Sequence, residues 1–247
     1  MKKANILIIT LLAGIFFSCS DNENTYRLSG KIEGGANEKL YLMEMENSGV
    51  NALDTIVLDK KGGFSVKETL KEPSIFILQG KNDYIMLCPQ KNEKIKITGE
   101  YNNLSTSYTI QGSKESGKLK TLSDKQTQTR FTLKMLNDQL AQMDITNIDS
   151  VRREVALTYQ SIREEQRNFV INYINANEGS LTTLVALYRT MENRPLIDFR
   201  NDLDIYKKVL NGLKKTYPDN KNTDNLEKFI LHVQQIQTNN SVNNDKK

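Results

Sequence analysis

From Thr25 to about Gln111 apolar and polar residues alternate with a period of two. Tyr26-Arg27-Leu28-Ser29-Gly30-Lys31-Ile32 and Lys39-Leu40-Tyr41-Leu42-Met43-Glu44-Met45 each put apolar residues on one face of a strand. Asp54-Thr55-Ile56-Val57-Leu58 leads into Asp59-Lys60-Lys61-Gly62-Gly63, a turn rich in residues that tolerate positive φ, and Phe64-Ser65-Val66-Lys67 completes the hairpin. Ile75–Leu78, Tyr84–Leu87, Ile95–Thr98 and Tyr108–Ile110 follow at short intervals. Short strands separated by turn signals predict an antiparallel β-sandwich over residues 25–113.

At Gly112-Ser113 the spacing changes to threes and fours, predicting a helical region over 114–237. Leu119, Leu122, Leu133, Leu136, Leu140 and Met143 mark one long helix, with polar Gln126 and Thr129 at the intervening seam positions. Thr146-Asn147-Ile148-Asp149 reads as a capping box with Asp in place of Glu. Val151, Val155, Tyr159, Ile162, Phe169, Tyr173 and Ile174 then mark a second helix, expected to pair with the first as an antiparallel hairpin. Ser180 is a plausible cap for a helix over Leu181–Met191, which Asn193-Arg194-Pro195 interrupts. Leu203, Tyr206, Val209, Leu210 and Leu213 outline the next helix, and Leu226, Phe229, Ile230, Val233 and Ile236 the last. From Thr238 the chain is Asn, Ser, Asp and Lys, so residues 238–247 read as a disordered tail. The expected class is α+β, a sandwich followed by helices.

The amino terminus fits neither period. Lys2 and Lys3 precede a short apolar run from Ile6 to Phe17, and Ser18-Cys19 closes it. A charged start, a short apolar core and a small residue at the cut make residues 1–18 a secretory signal. The run is shorter than the roughly 20 apolar residues a spanning helix needs. Cys19 resembles the lipobox cysteine of bacterial lipoproteins, although Phe16 and Phe17 stand where the commonest pattern has an aliphatic and a small residue. The resemblance implies cleavage before Cys19 and acylation of it, and two or three acyl chains anchor stably where one does so only marginally. The alternative is an ordinary signal peptide with an incidental Cys. Residues 19–24 form a short acidic tether, which resembles the export signal of Bacteroidota lipoproteins. An outer-membrane address follows, with surface display favoured over a periplasmic orientation.

Composition narrows the functions. Lys and Arg number 34 against 30 acidic residues, and no basic run with interleaved aromatics follows the signal, so nucleic-acid binding has little support. There are two cysteines, and if Cys19 is acylated Cys88 is left alone. It lies in the apolar run Tyr84-Ile85-Met86-Leu87-Cys88, where a buried, inert thiol is expected.

The candidate chemistry is sparse. His232 is the only histidine, too few for a His-rich metal site, and reads as a helix-surface or packing residue. Glu164 and Glu165 are adjacent on a helix and diverge by about 100°. Asp202 and Asp204 read as a solvated face, and Glu44 and Glu46 as the outer face of a half-exposed strand. Tyr41, Tyr84, Tyr101 and Tyr108 could stack on sugars or peptides, though Tyr is also an ordinary strand residue and the chain has no Trp. No catalytic, metal-binding or cofactor-binding residue is assigned.

The order of parts resembles the front portion of Bacteroidota lipoproteins in which a lipobox, a β domain of unknown function and a helical stretch precede a thioredoxin-like domain of the alkyl hydroperoxide reductase type. The matching residues are Tyr26–Ile32, Leu40-Tyr41-Leu42, Asp54-Thr55, Lys61–Phe64 and Tyr108–Ser113, with a looser match over Phe169–Asn177 and Ser180. The redox pair of that family is a Cys-x-x-Cys in the thioredoxin-like domain, and no residue of this sequence maps onto it. The expectation is therefore a membrane-anchored, non-catalytic binding or interaction module of the envelope with a protein, peptide or glycan partner. The alternative is an accessory half of a thiol–disulfide redox lipoprotein working with a separate thioredoxin-like domain.

Overall fold

A computed structural model describes residues 24–46, 49–142 and 148–244. Eight strands build the first part: β1 (Thr25–Glu33), β2 (Lys39–Glu46), β3 (Gly49–Val57), β4 (Gly63–Thr69), β5 (Phe76–Gln79), β6 (Tyr84–Leu87), β7 (Lys94–Glu100) and β8 (Thr109–Gln111). They form two four-stranded sheets, ordered β4-β1-β7-β8 and β3-β2-β5-β6. A single-turn helix α1 (Leu104–Ser107) links β7 to β8. The alternation does what it predicts, because Leu28, Leu40, Leu42, Leu78, Ile95 and Ile97 all point into one core between the sheets and are fully buried.

The expected sandwich is present, with one departure from antiparallel pairing. β1 pairs with β4 antiparallel, Leu28 opposite Val66, but with β7 in parallel, Leu28 opposite Ile95. Parallel neighbours need a long connection, and strands β2 to β6 supply it. Alternation cannot reveal strand direction, since it reports only faces. The Asp59–Gly63 turn forms as its residues demand. Asp59 Oδ1 accepts from the Lys61 and Gly63 amides at 2.7 and 2.8 Å. Gly62 has φ +76°, and a Cβ there would lie 2.1 Å from the Ile32 carbonyl oxygen.

The second part begins at α2 (Lys114–Ala141), capped by Ser113, whose hydroxyl accepts from the Ser116 amide. Ser116 in turn accepts from the Cys88 amide at 3.0 Å, tying the helix start to the end of β6. α2 runs beside β6 and β8, edge strands of the two sheets, and covers that side of the sandwich. α3 (Ile148–Ala176) packs against it. Thr129 donates to buried Gln166 while Lys125 reaches Phe169, so ascending one helix descends the other. The polar seam position is thus a matched pair across the hairpin. Thr146 and Asn147 of the expected capping box lie outside the described residues.

Two boundaries differ from expectation. α4 (Thr182–Leu187) stops well short of Met191, because β9 (Thr190–Met191) and β10 (Arg194–Pro195) form a hairpin there. Its two loop residues, Glu192 and Asn193, both have positive φ, as a type I′ turn requires. α5 (Leu203–Thr216) follows as expected. α6 (Lys221–Asn244) continues through positions read as an unstructured tail, and it contains no Gly or Pro to end it. The helices share a second core that includes Leu119, Val170, Leu187, Ile197 and Leu213, together with Ile75 and Cys88 from the sandwich.

Candidate functional site

Where the second core meets the outer face of the β2-β5-β6 sheet, packing is incomplete and a cleft of about 490 Å³ remains. Met45, Ile75 and Met86 form its sheet side, and Leu184, Val185 and Phe229 its helix side. The alternation explains the sheet wall. Ile85 and Leu87 of β6 face the sandwich core, so Met86 between them must face outward, toward the helices. Phe229 is braced by edge-on contact with Phe199, centroids 5.5 Å apart, and by Tyr206 at 5.7 Å. Tyr84 and Tyr188, both more than half exposed, stand on the cleft wall as well.

The polar lining includes Glu46, Gln126, Arg189 and Asn222. Arg189 is the unusual member. It leaves the end of α4 just before β9, with its amide bonded to the Ala186 carbonyl and its carbonyl taking the Leu196 amide. The residue is only 7% exposed, and neither Nε nor Nη2 has a hydrogen-bond partner among the described residues. Burial weakens its hold on the proton, and the Arg130 guanidinium adds to that, opposed by the Tyr84, Tyr108 and Tyr173 hydroxyls. Asn222 Nδ2, at the start of α6, is likewise buried without a partner. Groups left in this way each cost about 1–3 kcal/mol, more when charged.

Arg167 is the counterexample. It grips Asp202 through Nη1 and Nη2 at 2.9 and 2.7 Å and also donates to the Leu196 carbonyl. Burial pushes the Asp202 carboxyl up, but Arg167 and the Asp198 amide more than offset this and hold it below the usual range. Asp202 is therefore a paired structural carboxylate and not part of a solvated face, whereas Asp204 beside it is exposed.

The other expected residues fall as follows. Cys19 lies outside the described residues. Cys88 is fully buried, and burial pushes its thiol far up, with Glu115 and Glu93 adding to the shift. His232 is exposed on α6. Glu165 pairs with Lys125, and Glu164 accepts from Gln160. Glu44 and Glu46 are not merely an outer strand face: Glu44 pairs with Lys221 of α6 at 2.7 Å, with Glu46 at 3.8 Å and Glu72 at 3.9 Å. Of the four tyrosines, Tyr101 and Tyr108 are core residues and cannot form a platform, while Tyr41 and Tyr84 are exposed. Among the described residues no three His, Cys, Asp or Glu side chains are grouped to hold a metal, and no helix is long and apolar enough to cross a membrane.

Arg189 and Asn222 were not singled out by the sequence. One signal was there: Arg189 follows Leu184-Val185-Ala186-Leu187-Tyr188, a charge at the end of an apolar run with no acidic residue in that run to neutralise it.

The chain is thus an α+β protein of two packed sheets followed by helices, with a partly polar cleft at their junction. Residues 26–119 match the model of a domain of unknown function (DUF4369). That segment is the sandwich plus the first turns of α2, less than half of the chain, so the helical wall of the cleft lies beyond it. No curated protein matches the chain.

Proposed function

We propose that this chain is a lipid-anchored, non-catalytic binding protein of the cell envelope, with the cleft between sandwich and helices as its binding site. The observation that carries the reading is the cleft itself. It combines apolar walls with a few polar groups, at a size within the roughly 300–1,000 Å³ range of small-molecule sites. Its polar lining, which includes Gln126, Thr190 and Asn225, supplies hydrogen-bond donors and acceptors that can orient a ligand. Anchoring rests on Cys19 and its resemblance to a lipobox, and the outer-membrane address rests on the acidic tether behind it. The family match over residues 26–119 supports a domain of unknown function there, and the likeness to Bacteroidota lipoproteins rests on the sequence motifs alone.

The site reading is tested with a small neutral fluorophore such as 1-aminoanthracene. The full chain should take it up, and Val185→Trp, which fills the cleft, should abolish uptake with an unchanged far-ultraviolet spectrum. Equal uptake by both proteins would place the probe elsewhere and sink the reading. For the anchor, Cys19→Ser should leave the precursor unprocessed and without palmitate, and labelling that persists in this variant would overturn it.

A further inference from the structure

We propose that the uncovered edge of β3 is a docking edge for an extended segment of another protein in which apolar and basic residues alternate. The hollow beside this edge shares no residue with the cleft, so the inference stands apart from the cleft reading.

The two sides of the sandwich are finished differently. α2 runs beside the edge strands β6 and β8. At the other end of its sheet, β3 has no neighbour beyond it among the described residues, and every residue of it except Ile56 is exposed. An edge of this kind leaves a row of backbone N–H and C=O groups ready to pair with one more strand. β3 is nine residues long and contains no Lys and no Pro, the common guards against such pairing. Val50, Leu53 and Val57 are exposed apolar side chains along it.

The two faces of this edge ask for different side chains. Where the register with β2 shifts at Leu42 and Met43, Leu53 is left without a cross-strand partner. A hollow of about 410 Å³ opens there, and Tyr41, Met43, Ala52, Leu53, Thr55 and Gln79 are among the residues lining it. The opposite face is acidic. Asp54 stands opposite buried Leu42 and Glu68 opposite buried Tyr26, so both carboxylates lie on the core side of their strands, at its open rim. Asp54 is within hydrogen-bonding reach of Glu68. Burial and the Asp54 carboxylate both hold the Glu68 carboxyl above the usual range, and no cation offsets them. A strand laid beside β3 sends successive side chains to alternate faces. One set meets the hollow and is best apolar; the other meets Asp54 and Glu68 and is best Lys or Arg. The ladder supplies affinity, and the hollow and the carboxylates supply specificity. A second copy of β3 is a poor occupant, because it contains an acidic residue and no basic one and would bring like charges together.

The test is fluorescence anisotropy of the full chain with labelled peptides. The probes are Val-Lys-Val-Lys-Val-Lys-Val, its counterpart with Glu for Lys, and two forms of the Lys peptide methylated on one or the other alternate set of backbone amides. The Lys peptide should bind about fivefold or more tighter than the Glu peptide, the worth of pairs at a rim. The chain has a formal net charge of +4, so attraction by bulk charge would favour the Glu peptide instead. Methylating one set of amides should abolish binding, because only one edge of the peptide joins the ladder. Leu53→Lys should abolish it too, while Asp54→Asn combined with Glu68→Gln should keep binding and lose the preference for Lys. Val185→Trp, which fills the cleft, should change nothing. No binding of the Lys peptide, equal binding of the Lys and Glu peptides, tolerance of both sets of methyl groups, or loss of binding in Val185→Trp would overturn the proposal. Sedimentation showing a dimer of the unaltered chain that Leu53→Lys dissolves would also overturn it, by giving the edge to a second copy. The comparison of peptides on the unaltered chain stands even if a variant fails to fold.

Discussion

In the sandwich core, the inward-facing residues are aliphatic or aromatic and the backbone polar groups are absorbed by the strand ladders, Tyr26 being the exception with a buried hydroxyl that has no partner among the described residues. Leu28, Leu42, Leu78 and Ile97 are fully buried and leave no polar side chain among them to satisfy. The helical region buries a comparable set of apolar side chains but carries polar ones inside as well, including Ser116, Gln166, Ser180, Thr182 and Arg189. Most of these are matched. Ser116 accepts from the Cys88 amide, Gln166 from Thr129, and Ser180 donates to Glu115 and accepts from the Thr182 amide. Arg189 is not, and it belongs to the lining of the cleft at the junction of the two regions. A satisfied polar interior fixes a structure; an unsatisfied buried charge costs stability.

The largest expected effect tests the sandwich side of this contrast. Leu42→Ala removes a fully buried side chain from the core between the sheets and should cost about 2–5 kcal/mol. Urea unfolding should show a lower midpoint with an unchanged slope. A loss below about 1 kcal/mol would mean the sheets are not tightly packed there.

The helical side predicts opposite signs for two arginines. Arg167→Met strands the Asp202 carboxylate and should cost about 1–3 kcal/mol. Because the paired Asp202 carboxyl lies below its unfolded value, its contribution is present above that value, near pH 4, and fades as the pH falls through the folded one. The difference between Arg167→Met and the unaltered protein should therefore shrink in acid. Arg189→Met removes an unpaired buried charge, keeps most of the volume, and should stabilise the ligand-free protein by about 1 kcal/mol or more. Two losses of equal size would erase the distinction between the arginines.

What could be read without coordinates follows from what each pattern encodes. Period two reports faces, so the sandwich core from Tyr26 to Tyr108 was legible, but the parallel pairing of β1 with β7 was not. Period 3.6 located α2, α3, α5 and α6, whose apolar stripes are long. It failed around residues 188–195, where two successive positive-φ residues other than Gly turn a hairpin that carries no Asn-Gly signal. The cleft was invisible because it lies between elements distant in the chain: β6, α4 and α6 meet only in the folded state. Pairing has the same non-local character. Asp202 and Glu44 looked solvated because their partners, Arg167 and Lys221, are 35 and 177 residues away.

The smallest effect concerns the joint that holds the two regions in register beside the cleft. Lys221 Nζ lies 2.7 Å from Glu44, with Glu46 and Glu72 just beyond. The same corner includes a hydrogen bond from Asn220 Nδ2 to the Pro73 carbonyl at 2.7 Å. Burial pulls the ammonium pKa down, but Glu44, Glu72 and Glu46 outweigh it, and the net shift is upward. A raised value in the folded state means the contribution is fully present below the unfolded value, near 10.4, and is lost as the pH climbs through the folded one. Since a third of the Lys221 side chain remains exposed, the network is worth only about 1 kcal/mol. Lys221→Met should therefore lower stability slightly at neutral pH and low salt. The gap should narrow in about 1 M salt, where the screening length falls to about 3 Å, and close above the folded pKa of the lysine. If the gap persists under both conditions, the sandwich and helices are held at this corner by the packing of the lysine stem and not by its charge.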